Sequence, residues 1–290
     1  METNKTITIS ILGTGPTGLG LALALKEAPD IHIQLLGRQE KSLPKHKLKC
    51  LQATSEIGRH HLAQSDIIMM AVPDNCITNY SMEILRDLEF QTPTVLCHLS
   101  GCLPSNILPE QTNIYRASMH PLCALPSAET AEKRLKEAFY TLEGDVESHT
   151  LITRILCQLS NRFAFIPTTS KYLYHACAVM VSNLILGLFH GIAGELKRGE
   201  MEDLLPHMLK LAQNNLENAE NLGIGEALTG PLMRGDTDTL NRNMNAFDSE
   251  KMREAYIALS RYTLSLAVET YPNKNHTYEK IGKLLDQNEL

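Results

Sequence analysis

The residues best placed to do chemistry lie in TTSKYLYHACAVMVSN (168–183), where a lysine and a histidine stand four apart at the head of an apolar run. At about 3.6 residues per turn, Lys171, His175, Ala178 and Ser182 share one helical face, with Asn183 about 120° around from Lys171. Thr169 or Ser170 would cap such a helix. Lys171 then sits in the first turn, where the helix dipole disfavours a cation by a few tenths to about 1 kcal/mol. An amine so placed would have a depressed pKa and an affinity for an anion such as a substrate carboxylate. In isolation the pair would read as a surface lysine beside a core histidine; its domain context is what argues otherwise.

Two further cationic positions follow. In ALTGPLMRGDTDTLNRN (227–243), Gly230-Pro231 breaks the chain and Arg234 precedes Gly235. A guanidinium on such a turn can grip a carboxylate bidentately, or it can tie two helices together. His120, in a His-Pro loop, is the second position. Metal chemistry is not expected. His175 has no second histidine one turn on, and the adjacent His60-His61 pair would diverge by about 100° on a helix.

The segment that must position these groups begins at TITISILGTGPTGLGLALAL. It sets Gly13-Thr14-Gly15-Pro16-Thr17-Gly18 between a strand pattern and a helix pattern. In a G-x-G-x-x-G element the first glycine allows a tight turn, the second lets the backbone approach a pyrophosphate, and the third lets helix and strand pack closely. Pro16 is tolerated in the first helical turn, and free amides with the helix dipole face an anion. A glycine-rich turn that binds nothing is the competing explanation, and the flanking strand and helix weigh against it.

The next strand, IHIQLLGRQEKSLPKHK, ends in Gly37-Arg38 where an NAD site usually carries Asp or Glu. Arg38 lies twenty residues after Gly18. A guanidinium there suits a 2′-phosphate, so NADP(H) is the expected cofactor. Lys41, Lys45 and Lys47 either reinforce this or form a solvated loop.

Later strand patterns, such as the continuous apolar run 67–72, suit strands buried on both faces of a mainly parallel sheet. Ligands bind at the carboxyl ends of such strands. Pro73-Asp74, Ser100-Gly101 and His120-Pro121 are accordingly expected around the nicotinamide, although each alone could be an ordinary turn.

After AFIPTTS the period changes to helical, with helices expected at about 170–198, 203–222, 236–246, 249–269 and from 276. The fold class is α/β. A Rossmann-type, mainly parallel sheet domain is expected over 1–166, and an all-helical domain for substrate and dimerisation over 167–290.

Bulk properties bound the function. With 290 residues, 43% hydrophobic and 21% charged, the chain can bury two cores. The net charge of −6 and the absence of a basic tract argue against nucleic acid. The most apolar run, 176–189, is interrupted by Ser182 and Asn183, short of the roughly 18 apolar residues of a span, so no membrane association is expected. Seven cysteines without a C-x-x-C pair, and no signal-peptide pattern, suggest reduced, buried thiols and a cytoplasmic protein.

In order, ILGTGPTGLG, SDIIMMAVPD, HLSG, MHPL, LEGD, KYLYHACAVMVSN and LTGPLMRGD resemble, over nearly the whole chain, a bacterial family that pairs a Rossmann-like domain with a helical domain of formerly unknown function. That family is similar to the ketopantoate reductases and the 6-phosphogluconate and β-hydroxyacid dehydrogenases. The resemblance implies NADPH-dependent reduction of a small 2-oxo acid, ketopantoate to pantoate foremost, with Lys171 as catalytic acid or charge stabiliser that would polarise the carbonyl and protonate the developing alkoxide. On this reading His175 would orient or reprotonate the lysine, Asn183 would fix substrate hydroxyls, and Arg234 or His120 the carboxylate. The long apolar helix suggests a homodimer through the helical domain, although burial within one subunit would account for it as well. The chain differs from the usual ketopantoate reductases in carrying His175 where they tend to have asparagine. Reduction of another hydroxyacid precursor or of an imine, and NADPH sensing without chemistry, are the alternatives.

Overall fold

The computed structural model describes residues 6–288. Its chain divides into two compact units, residues 1–182 and 183–290.

The first unit is built on a nine-stranded sheet. Strand β1 (Ile7–Leu12) leads into α1 (Pro16–Leu25), followed by β2 (Ile31–Gly37), β3 (Lys41–Leu43), β4 (Leu48–Gln52), α2 (Glu56–Ala63), β5 (Ile67–Met70), α3 (Ile77–Leu85) and β6 (Thr94–His98). Then come β7 (Ile114–Leu122), α4 (Ala128–Glu137), β8 (Phe139–Gly144), α5 (Val146–Gln158), β9 (Phe163–Phe165) and α6 (Lys171–Val179). The strand order is β3-β4-β2-β1-β5-β6-β7-β8-β9. All pairings are parallel except β3 with β4 and β7 with β8.

From β1 the chain moves outward to β2, then returns to add β5 on the other side. The switch point therefore lies beyond the ends of β1 and β5, where a crevice opens in such sheets. Ile67–Met70 are buried throughout, and helix α1 is buried along most of its length. Both are sandwiched, which is why they read as uninterrupted apolar runs. Two hydrophobic clusters cover the sheet, one including Ile9, Ile11, Leu21 and Tyr140 and the other Leu12, Ile68, Met70 and Leu96.

The second unit contains α7 (Ile185–Arg198), α8 (Leu205–Leu222), α9 (Gly230–Arg234), α10 (Thr237–Ala246), α11 (Glu250–Thr270) and α12 (Asn275–Gln287). Its core gathers Leu232, Leu240, Met244, Ile257, Tyr278 and Ile281. Asp236 and Ser249 cap α10 and α11, accepting the amides of Thr239 and Met252 at 3.0 and 3.4 Å. The helix expected from 203 begins at Leu205, and Asp203 lies in a 3₁₀ turn, Glu202–Leu204, ahead of it.

The expected helix over 170–198 is present but not uniform. A π turn, Met180–Leu184, separates α6 from α7, and it advances the helix phase by the extra residue of each turn. Ser182, expected on the face of Lys171, His175 and Ala178, falls within that turn. That residue is exposed, and its hydroxyl donates to the Ala178 carbonyl at 2.6 Å. The boundary between units also falls at 182/183, later than the 166 expected, because α6 remains part of the sheet domain through Lys171.

By length and composition, Thr168–Arg198 is apolar enough to cross a membrane. Its mean hydropathy is 1.8 over the most apolar window, and none of that window is buried. The two polar residues at its centre do not bring it below that threshold. The cysteines are unpaired, but Cys76, Cys157 and Cys177 are exposed rather than buried as expected.

Candidate active site

A trough runs along the carboxyl ends of the central strands of the first unit. It comprises three overlapping cavities of about 400, 470 and 570 Å³. Gly15, Pro16 and Thr17 line one end with Asp74, Ser100 and His120. Gly13, Thr14 and Pro73 line the middle, and Arg38 lines both the middle and the far end.

The three glycines have three separate physical reasons. Gly13 has φ +124°, and a Cβ there would meet the Ala71 carbonyl oxygen at 2.2 Å, so the turn admits only glycine. Gly18 would place a Cβ 2.2 Å from the Gly13 oxygen and 3.0 Å from the Ala71 Cβ, so it sets how closely α1 approaches the strands. At Gly15 a Cβ would meet nothing within 4 Å. The bare backbone there faces open cavity at the N-terminus of α1, where a pyrophosphate can approach.

Arg38 follows β2 and is exposed to solvent. Lys41, beside it on β3, also lines the far cavity. Lys45 instead stands 3.9 Å from Glu129 on the surface, and Lys47 occupies a left-handed turn between β3 and β4 with φ +51°. The position expected for a 2′-phosphate thus has one principal cation, Arg38, and a neighbour in Lys41.

At the other end, Lys171 stands in the first turn of α6, as expected. It is 0% exposed, and its Nζ donates to the Ser118 Oγ at 2.5 Å. Burial lowers its pKa, and the nearby Glu143 carboxylate opposes that shift. Ser118 and His120 are two apart on β7 and so share a face of the sheet. Ser118 pairs in register with Glu143 on β8. Glu143, 3% exposed, accepts from the Ser105 amide at 2.6 Å and from the Ser105 and Thr168 hydroxyls, each at 2.9 Å. The lysine is therefore a charge held behind the wall of the trough and does not line it.

What does open on the trough is His120. Its Nδ1 lies 2.7 Å from the Tyr174 hydroxyl, and its ring meets that of His175 edge-on at 6.1 Å between centroids. Gly101 lies beneath both rings: a Cβ there would come within 2.6 Å of His175 Nδ1 and 2.7 Å of His120 Nε2. Gly101 thus makes room for imidazoles and is absent from the cavity linings. His175 Nδ1 is buried without a hydrogen-bond partner.

Burial lowers the His120 pKa to about 4, and the Lys171 ammonium adds to the effect. His98, 0% exposed on β6, is likewise held at about 4 by burial; its Nδ1 accepts from the Ser100 amide at 3.2 Å. Both rings are neutral near pH 7.

Ser100 lines the trough, but its hydroxyl is already committed. It donates to the Asp74 carboxylate at 2.7 Å and accepts from the Cys102 and Leu103 amides at 3.1 and 3.0 Å. It locks the loop after β6 to the loop after β5, so both walls of the trough move together. Asn183 and Arg234 belong to the second unit. Asn183 is exposed in the π turn, and Arg234 is exposed at the end of α9, before Gly235 in the left-handed region.

Sequence reasoning missed Ser118, Glu143 and Tyr174. A signal existed for each. Ser118 is at alternate spacing from His120, Glu143 is an acid inside an apolar strand, and Tyr174 stands three after Lys171, on nearly the same helical face.

Residues 138–263 match the family model described as a domain of unknown function, DUF2520. No curated protein matches the chain in sequence. Among solved structures, a Thermotoga maritima protein superposes with a TM-score of 0.68 at 23% identity, covering 90% of this chain and 98% of that one. A Bacteroides fragilis protein assigned as an NADP oxidoreductase gives 0.65 at 21% identity, with 90% and 98% coverage. An imine reductase from a Pseudomonas species gives 0.60 at 13%, with 91% and 98%. At these identities the likeness establishes a shared fold: a Rossmann-like sheet domain followed by a helical region.

Proposed function

We propose that the protein is an NADPH-dependent reductase of a small 2-oxo acid, with ketopantoate, reduced to pantoate, as the first substrate to test. The observation that carries this reading is the continuity of the trough. It starts at an arginine suited to a 2′-phosphate, passes a bare glycine backbone at a helix N-terminus, and ends at His120. The solved structure assigned as an NADP oxidoreductase supports a nicotinamide cofactor.

The residues present fit that group. Arg38 and Lys41 would hold the 2′-phosphate, the Gly13–Gly18 turn the pyrophosphate, and Pro73, Thr17 and Pro121 the nicotinamide end. When bound, the group supplies a hydride. Lys171, sealed behind Ser118, supplies a fixed positive charge that favours negative charge developing on the substrate oxygen. This charge-stabilising role replaces direct proton donation by the lysine. Asn183 and Arg234 remain candidates for holding the substrate's hydroxyl and carboxylate.

Further parts of the reading are a cytoplasmic location and a homodimer formed through the helical region. Exposed Leu186, Leu209 and Leu216 on α7 and α8 support the dimer.

The test is NADPH oxidation, followed by absorbance, with ketopantoate, other 2-oxo acids and cyclic imines, with NADH in parallel. Turnover that prefers NADPH and ketopantoate supports the full reading. Turnover only with another carbonyl or imine moves the substrate and keeps the reaction class. Tight NADPH binding without oxidation of any substrate overturns the enzymatic reading.

A further inference from the structure

The Tyr174 hydroxyl makes the hydrogen bond that decides what His120 can do. A neutral imidazole carries one N–H, and the group bonded to one nitrogen determines which nitrogen that is. Here the bonded nitrogen is Nδ1, 2.7 Å from the Tyr174 hydroxyl. Of the two, the phenol is the stronger acid and the imidazole nitrogen the stronger base, so the phenol donates and Nδ1 accepts. The proton then resides on Nε2. That nitrogen faces the same side of Gly101 as the buried, unpartnered His175 Nδ1.

Resting on the reductase reading, we propose that Tyr174 is a positioning residue that fixes the Nε2–H tautomer of His120, making His120 the group that protonates the substrate oxygen beside His175. With hydride delivered to the carbonyl carbon and the C=O π pair moved onto oxygen, the Nε2–H bond breaks and an O–H bond forms. The phenolic proton passes to Nδ1, and solvent reprotonates the tyrosinate. The sum is carbonyl, reduced nicotinamide and one proton giving alcohol and oxidised nicotinamide.

The surroundings agree with this assignment. The titratable and charged groups around His120 are Lys171, His175, His98 and Tyr174; burial, with the lysine's charge, keeps the ring neutral around pH 7. Burial also raises the Tyr174 pKa, which keeps it a phenol able to donate. Gly101 gives both imidazoles their room, so Gly101→Ala displaces the pair without touching the glycine turn after β1.

The experiment has two arms. The ¹⁵N spectrum of the His120 ring in the wild-type protein reports the tautomer whatever the substrate. An Nε2–H form with Nδ1 as hydrogen-bond acceptor is expected, reverting towards a mixture in Tyr174→Phe. An Nδ1–H ring in the wild type overturns the proposal. In the second arm, Tyr174→Phe and Gly101→Ala should each lower kcat by about a hundredfold, the low end for a general acid, with NADPH affinity unchanged. They should also change the acid limb of the pH profile. Wild-type kcat and an unaltered profile in both variants overturn the proposal while leaving the reductase reading intact. A wild type that turns over no carbonyl or imine overturns that reading, and this one with it.

Discussion

At the scale of single residues, the site depends on where charge is buried. Lys171 was legible as an unusual cation, because a lysine at the head of an apolar helix is hard to explain by packing alone. Its burial was not legible, since that depends on Ser118 and Glu143, which are distant in sequence and adjacent only through the β7–β8 pairing. Replacing Lys171 with methionine keeps the volume and removes the ammonium that disfavours a protonated His120. The His120 pKa should therefore rise, moving the acid limb of the activity profile to higher pH. With the stabilising charge gone, kcat at pH 7 should fall by about tenfold or more, while NADPH affinity holds. A pH–rate series on this variant measures both effects; an acid limb that stays in place would separate Lys171 from His120.

The two neutral histidines also set a pH window for stability. Their folded pKa values of about 4 lie below the unfolded value of 6.5, so between those limits the unfolded chain binds more protons. Stability is complete above about pH 6.5 and declines as pH falls towards 4, by up to about 1.4 kcal/mol per pH unit for each histidine. Urea unfolding between pH 7 and 4 should show this slope, and His98→Gln should reduce it. At the cofactor end, Arg38→Ala removes a charge-assisted contact of about 1.5–3 kcal/mol. NADPH affinity should fall about ten- to hundredfold with little change for NADH, as binding titrations with both nucleotides would show.

At the scale of elements, the glycine turn was the most legible feature, because its constraints are local. Gly15 and Gly18 separate binding from folding. Gly15 has φ −71° and ψ 179°, and no atom lies within 4 Å of where an alanine methyl would stand, so Gly15→Ala should unfold like wild type yet lose cofactor affinity. Gly18→Ala forces a Cβ against the Gly13 carbonyl and should cost about 1–3 kcal/mol. Thermal unfolding together with NADPH titration distinguishes the two. Less legible were β3 and β4, whose antiparallel strands are only three and five residues long. The five-residue helix α9 and the π turn were missed for a related reason: a helical periodicity cannot show one extra residue in a turn.

At the scale of the whole molecule, the apolar surface of the helical region demands an explanation. Helix α8 is eighteen residues long with none of them buried, and an isolated helix of that length is marginal in water. Its apolar residues at 205, 208, 209, 212, 216 and 219 form a stripe at helical spacing, which asks for cover along one side. The opposite side carries Lys210, Glu217, Asn214 and Asn221, too polar for a bilayer interior. A second copy of the chain is therefore the better cover, and it would also shield the apolar stretch at the start of α7. Light scattering should give the mass of a dimer. Leu209→Glu with Leu216→Glu, both exposed in the single chain, should convert it to a monomer with NADPH affinity retained, because the trough is built wholly from the first unit. A wild-type monomer, or a double variant that remains dimeric, would remove α8 from the interface.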